Sequence, residues 1–263
     1  SDLSFLCLPD AAAREVVPLL HPDVRILDTS TAHRTAPDWV YGLPELHGKR
    51  DALRTANRVA VPGCYATGFI TLVAPLVELG LLAADYPLTC HGLSGYSGAG
   101  KSGIAQYRDP ERDIAFESPR PYGLTLDHKH LPEMSAYSGL SVAPIFQPIV
   151  GPFYKGLAVT AYLHPAQFTR KVTPADVQKI LADYYAGEAF IRVAPFDLEA
   201  STDGGFFDVE ANNDTNRVDL FVFGNEERML VVGRLDNLGK GASGAAVQSM
   251  NVHLGVEESL GLV

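Results

Sequence analysis

Residues 3–28 read LSFLCLPDAAAREVVPLLHPDVRILD. Leu3 to Leu8 is a short, mostly apolar run stopped by Pro9, the pattern of a buried strand. Ala11 to Leu20 then places Val16, Val17 and Leu20 on one helical face, and Val24 to Leu27 is a second apolar run, closed by Asp28. Strand, short helix and strand in that order make a βαβ unit, whose strands pair in parallel. A sheet starting at Leu3 would expose an edge, so this pattern predicts a further α/β segment ahead of it.

Moving outward, a turn-rich stretch through Pro37, Gly42, Pro44 and Gly48 leads to a brief strand at Val59 to Val61. Pro62-Gly63-Cys64 follows, and a helical pattern begins with Phe69, Leu72, Val73, Leu76 and Val77. Pro75 inside that pattern predicts a kink. Leu88 to Leu93 reads as another strand, running into the small-residue loop Ser94 to Lys101. Residues 102–156 read as irregular, and 102–125 is the place to look for a lid, which the sequence itself does not show. Beyond them Leu157 to Leu163 is a strand, and Thr173-Pro174 opens a helix with Asp176 in its first turn and Gly187 past its end. Val218 to Phe223 and Met229 to Leu235 predict a hairpin across Gly224-Asn225. The last helix is expected to start near Lys240 or Ala242 and to reach about Leu254. Parallel α/β first, antiparallel strands next and a closing helix suggest two domains, with that helix packing back on the first.

The 263 residues are 46% apolar, enough for one large core or two modest ones. A net charge of -10 without any block of Lys and Arg argues against nucleic acid or an anionic membrane as partner. No apolar run is long enough to span a bilayer, and the first residues do not have the pattern of a signal peptide. Three cysteines without CxxC spacing argue against a disulfide framework or structural zinc, so a reducing cytoplasm is expected.

Cys64 stands where a strand meets a helix, amid free backbone N–H groups whose dipole favours a thiolate and predicts a lowered thiol pKa. The alternative is a buried, inert cysteine, the usual fate of a free thiol; Cys7 and Cys90, inside apolar strand patterns, are read that way. Asp127 to Glu133 is the densest titratable cluster. His130 can move protons near neutral pH, and Glu133, three residues on, would meet it on a helical turn and fix its ring. A zinc site or a solvated turn are the alternatives, but the spacing of His128 and His130 suits a strand better than a metal-binding helix. Successive N–H groups of the loop from Ser94 through Gly95 and Gly98 to Lys101 can form an anion nest, although many such loops are only turns. Arg34 follows the C-terminal end of a strand, where open parallel sheets bind ligands, or it is simply a surface charge. The small residues of 236–246 permit close approach of a flat ligand or of another helix.

Together these segments are more specific than any one alone. VAVPGCYATG (59–68), HKHLPE (128–133), the Gly-rich loop 94–101, YGLPEL (41–46) and DNLGKGASGAAVQ (236–248) occur in an order and spacing that resembles the N-acetyl-gamma-glutamyl-phosphate reductases over nearly the whole chain. DTSTAHR (28–34) is most similar to their shorter subgroup. The resemblance implies a Rossmann-like cofactor domain, N-terminally incomplete here, joined to an α+β catalytic domain on a mixed or antiparallel sheet. It places the first in residues 1–65 with 236–263 and the second, which would also dimerise, in 66–235.

The resemblance also implies an NADP-dependent, phosphorylating aldehyde dehydrogenase of arginine biosynthesis. NADPH would be the hydride donor and a small anionic acyl phosphate the substrate. Cys64 would form a thioester, His130 would act as acid and base, and Glu133 would orient it. Arg34, Ser94, Lys101, His128 and Lys155 are candidates for the substrate and its phosphate. Leu8, Pro9, Ser30, Gly95, Gly98, Asn237, Leu238, Lys240 and Gly241 are candidates for the cofactor, and no metal is expected. A homo-oligomer, dimer or tetramer, is implied as well. The family's Gly-rich pyrophosphate turn is expected ahead of Leu3. Two alternatives stay open: a related acyl-phosphate reductase such as an aspartate-semialdehyde dehydrogenase, and a cofactor-free Cys–His acyl hydrolase or transferase.

Overall fold

The computed structural model describes residues 2–263. The first unit comprises β1 (Leu3–Leu6), α1 (Asp10–Val16), β2 (Arg25–Asp28), β3 (Val40–Tyr41), α2 (Lys49–Thr55) and β4 (Arg58–Ala60). Its strands pair in parallel in the order β1-β2-β4-β3. Strand β1 is shorter than the apolar run suggests. Thr29 N–H and Oγ1 both donate to the Leu6 carbonyl at 3.0 Å and end the pairing there, so Cys7 is exposed rather than inside a strand. The first helix also stops early, at Val16, and gives way to a tighter 3₁₀ turn at Val17–Leu19, because Pro18 has no N–H to continue the ladder.

The second unit begins with α3 (Cys64–Glu78) and continues through β5 (Thr89–Gly95), α4 (Gly100–Arg108), β6 (Arg120–Pro121), α5 (Leu131–Ser138), β7 (Ile145–Gly151) and β8 (Leu157–Leu163). It ends with α6 (Pro174–Tyr184), β9 (Ile191–Val193), α7 (Leu198–Ser201), β10 (Val218–Gly224) and β11 (Met229–Leu235), before α8 (Gly244–Leu254). The seven strands run β6-β7-β5-β8-β11-β10-β9. The sheet is mixed: β5 with β7 and β9 with β10 are parallel, and the other pairs, including the expected β10–β11 hairpin, are antiparallel. Residues 102–156 are therefore not irregular, since they hold most of α4 together with β6, α5 and β7. Strand β7 was hidden because its partner β5 lies more than fifty residues back, and Pro148 interrupts its apolar alternation.

Helix α3 lies on this sheet and is buried along most of its length. Gly68 permits the contact, for a methyl group there would come within 2.9 Å of Val159 Cγ2. Phe69, Leu72 and Leu76 then join Val159, Leu220 and Val231 in the main core, where each large aliphatic side chain contributes about 1.5–3 kcal/mol of burial. Pro75 inside α3 cannot donate to the Thr71 carbonyl, and the Tyr185 hydroxyl does so instead at 2.8 Å. The helix start expected at Thr173-Pro174 is present as α6, where Thr173 and Asp176 form a capping box.

A π-helical turn, Gly239–Ser243, precedes α8, so the helix proper starts later than Ala242. Its i+5 bonds run from Gly241 N–H to the Asp236 carbonyl and from Ser243 N–H to the Leu238 carbonyl. Ala245, Ala246 and Val252 of α8 pack on Leu27, Leu53, Val59 and Val61, which returns the C-terminal helix to the first unit. Among the described residues no helix is long and apolar enough to cross a membrane.

Candidate active site

Strand β4 delivers the chain into Pro62-Gly63, and Cys64 opens α3 directly after them. A cleft of about 250 Å³ lies over this junction. Cys64, His130, His128 and Arg34 line it together with Gly98, Asn237, Leu238 and Gly241. Gly63 and Gly241 make the assembly possible. A methyl group on Gly63 would lie 2.5 Å from both Arg34 Nη1 and His130 Nε2, and one on Gly241 would lie 2.7 Å from Cys64 Cβ. The backbone itself therefore packs against the thiol and the imidazole.

The thiol differs from the sequence expectation. Burial pushes Cys64 up to about 11, against the pull of the Tyr65 N–H and the Arg34 guanidinium toward the thiolate. Desolvation outweighs the helix start, so the resting group is a neutral thiol. His130, at the N-cap of α5, is buried and held well below the ordinary histidine value by that burial, then by the charges of Arg34, His128 and Lys129. His128 is lowered to about 4 by burial and by Lys129, and its Nδ1 accepts from His130 N–H at 3.2 Å. Nδ1 of His130 is buried and has no hydrogen-bond partner among the described residues.

Glu133 is the fixed point. Its carboxylate is buried and accepts from Arg34 Nη1 at 2.7 Å, the Tyr41 hydroxyl at 2.7 Å and the Gly63 N–H at 3.1 Å. Its Oε1 stands 4.0 Å from His130 Nε2, beyond hydrogen-bond reach. It therefore holds the loop before Cys64 and the guanidinium of Arg34, rather than the His130 ring as the i, i+3 spacing suggests. Arg34 is committed in turn, with Nε on the Val61 carbonyl at 2.9 Å and Nη2 on the Thr29 carbonyl at 3.1 Å.

Other candidates fall outside the cleft. Lys101 is exposed on α4 and does not line it. Lys155 is paired with Asp214 and Asp236, so its charge is already neutralised. Ser94 is buried and donates to the Gly95 carbonyl. Gly95 is pressed against the backbone of Tyr154 and Lys155. Ser30 is bonded to Asp28 through both its N–H and its hydroxyl, at 3.0 and 2.6 Å. Lys240 is wholly buried on Glu45 and Gln248, so it faces away from any ligand. Leu8 and Pro9 are exposed where the chain leaves β1, with Pro9 at the N-cap of α1. In their place the cleft has Lys129, whose only sequence signal is its position between the two histidines, together with Tyr65 and Tyr122.

Comparison with known proteins places the chain in a family. A family model described as the semialdehyde dehydrogenase NAD binding domain matches residues 1–56, and one described as the semialdehyde dehydrogenase dimerisation domain matches residues 64–237. The chain is similar in fold to the crystal structure of aspartate semialdehyde dehydrogenase II from Vibrio cholerae, with TM-score 0.73 at 16% identity, covering 96% of this chain and 79% of that one. It is likewise similar to aspartate semialdehyde dehydrogenase from Francisella tularensis, with TM-score 0.72 at 12% identity over 95% of this chain and 81% of that one. In sequence it is 47% identical to N-acetyl-gamma-glutamyl-phosphate reductase 2 of Nostoc sp., over 99% of this chain and 84% of the relative. It is 46% identical to N-acetyl-gamma-glutamyl-phosphate reductase of Brucella ovis, over 97% of this chain and 84% of the relative. At that identity over nearly its whole length, the chain belongs to the N-acetyl-gamma-glutamyl-phosphate reductase family.

Proposed function

We propose that this chain carries out the NADPH-dependent reduction of N-acetyl-gamma-glutamyl phosphate to the semialdehyde, through a thioester on Cys64. The observation that carries the reading is that one cleft is lined by Cys64 at a helix start, by His130 and by several small residues. Gly98, Asn237, Leu238 and Gly241, two of them without side chains, leave room beside Cys64 for a flat nicotinamide ring. A bound nicotinamide cofactor supplies the hydride that takes the thioester carbon to the thiohemiacetal level.

The protein's own groups do the rest. The Cys64 sulfur attacks the acyl carbon as its proton passes to His130, and phosphate leaves as the C–S bond forms. The resting pair is uncharged, so this proton transfer accompanies attack instead of preceding it. His130 then gives the proton to the hemiacetal oxygen, recovers it as the C–S bond breaks and the aldehyde departs, and returns it to the Cys64 sulfur. Lys129 and Arg34 are the cations lining the cleft; Arg34 is paired with Glu133, so Lys129 carries the local positive charge set against the acidic whole. Residues 1–65 with 236–263 serve as the cofactor domain, and 66–235 as the catalytic domain through which the chain forms a homo-oligomer in the cytoplasm. The 46–47% relatives, as against the 12–16% fold neighbours, favour the N-acetylglutamyl substrate over aspartyl phosphate.

The test is phosphate-dependent oxidation of N-acetylglutamate semialdehyde with NADP and, separately, with NAD. Cys64→Ser should abolish turnover with an unchanged circular dichroism spectrum. Appreciable reductase activity in that variant rules the mechanism out.

A further inference from the structure

Two polar side chains in the segment Tyr41–Glu45 are fully buried without touching the cleft. Tyr41 ends β3, which pairs with the strand leading to Cys64, and Gly42 N–H continues that pairing onto the Ala60 carbonyl at 2.8 Å. From this position the Tyr41 hydroxyl donates to Glu133 Oε2, the same oxygen that accepts the Gly63 N–H. The Tyr41 ring stacks on Tyr137 with centroids 3.9 Å apart, and the Tyr137 hydroxyl donates to the Arg34 carbonyl at 2.7 Å. Four residues on, Glu45 Oε1 accepts from Lys240 Nζ and from Gln248 Nε2. Lys240 sits in the π-turn next to Gly241, whose backbone packs on Cys64.

One short segment thus reaches both backbone stretches that flank the thiol. Resting on the reading of Cys64 as the nucleophile, we propose that Tyr41 and Glu45 are positioning residues for the reaction. Tyr41 clamps Gly63 through Glu133, and Glu45 clamps Gly241 through Lys240. Packing alone does not call for these side chains. A phenylalanine would fill the place of Tyr41, and a buried Lys–Glu pair is often no more stable than apolar residues of the same volume. What the polar groups add is a fixed location for two loops that carry no side chains of their own against the sulfur. Leu43, wholly buried between them, and the rigid Pro44 keep the two anchors at a set separation.

The experiment uses the full chain with Tyr41→Phe and Glu45→Gln. It measures kcat, KM, Tm and the rate at which iodoacetamide labels the Cys64-containing peptide as a function of pH. In Tyr41→Phe the expected kcat is about tenfold lower or more, with KM within about twofold, because a displaced reacting group loses rate before it loses binding. Labelling of Cys64 between about pH 8 and 10 should also slow by about threefold. Glu133 already weighs against the thiolate, and it weighs more once a donor to it is gone. Glu45→Gln should likewise lower kcat with KM little changed. A folded Glu45→Gln protein with wild-type kcat overturns the role of Glu45, and Glu45→Asp takes its place if Glu45→Gln fails to fold. A Tyr41→Phe protein with lowered Tm but wild-type kcat and an unchanged labelling profile overturns the proposal. A wild-type chain with no reductase activity would instead refute the functional reading, and the labelling profiles would still decide the positioning role.

Discussion

Gly63→Ala isolates the geometry of the site from its chemistry. Gly63 has φ -78° and ψ 149°, an extended conformation that alanine adopts freely, so backbone strain contributes nothing. The added methyl group is what matters. It would lie 2.5 Å from Arg34 Nη1, 2.5 Å from His130 Nε2 and 2.6 Å from His130 Cε1. Comfortable contacts of this kind are about 3.5 Å, so one partner must move by about 1 Å. Arg34 is held by the Val61 and Thr29 carbonyls and by Glu133, and it cannot yield cheaply. The His130 ring and the loop carrying Cys64 take the displacement. A misplacement of that size costs about 10²-fold in kcat, or about 3 kcal/mol of activation free energy. The overpacking itself costs about 1–3 kcal/mol of stability, a shift of several degrees in Tm that leaves the protein folded at the assay temperature. Initial rates of phosphate-dependent semialdehyde oxidation, followed by absorbance of the reduced cofactor, give kcat and KM. A Gly63→Ala enzyme retaining more than about half of wild-type kcat would refute the argument that this contact fixes the catalytic pair.

Three further outcomes are expected. Tyr185→Phe leaves the buried Thr71 carbonyl without a donor and should cost about 1–3 kcal/mol by urea denaturation, yet the loss should shrink in a Pro75→Ala background, where an α3 N–H can take over. Lys129→Ala should raise KM for phosphate about tenfold, whereas Lys101→Ala and Lys155→Ala, whose charges lie outside the cleft, should leave it unchanged. Because His128 is depressed to about 4 and His130 also lies below its ordinary value, the unfolded chain takes up their protons first. Stability is therefore complete above about 6.5 and falls as pH drops toward 4, and His128→Gln should flatten that slope in denaturant titrations at stepped pH.

Sequence patterning revealed elements held together by local rules. The βαβ opening, the helix after Cys64, the helix start at Thr173 and the β10–β11 hairpin each lie within one short stretch of chain. What stayed hidden depends on distant partners. Helix α5 begins at His130-Leu131-Pro132, and eight residues with a proline at the start carry too little periodicity to stand out. Lys240 in a Gly-rich turn looks like a ligand contact until Glu45, 195 residues away, is seen to neutralise it. Lys155 looks free until Asp214 arrives from 59 residues further on. The raised Cys64 value has the same origin, because a helix start can be read from Pro-Gly-Cys but the depth at which it is buried cannot.

The π-turn that sets Gly241 against Cys64 has a consequence for how the chain is made. Arg34 and Cys64 leave the ribosome before Glu133 and His130, and all four before Gly241 and α8. Until α8 docks on the opening sheet, the sulfur lacks one of its walls and is open to oxidants and electrophiles in the cell. A nascent or prematurely terminated chain of this family therefore has a bare thiol without a working enzyme around it. Docking of α8 thus shields the nucleophile as much as it completes the fold.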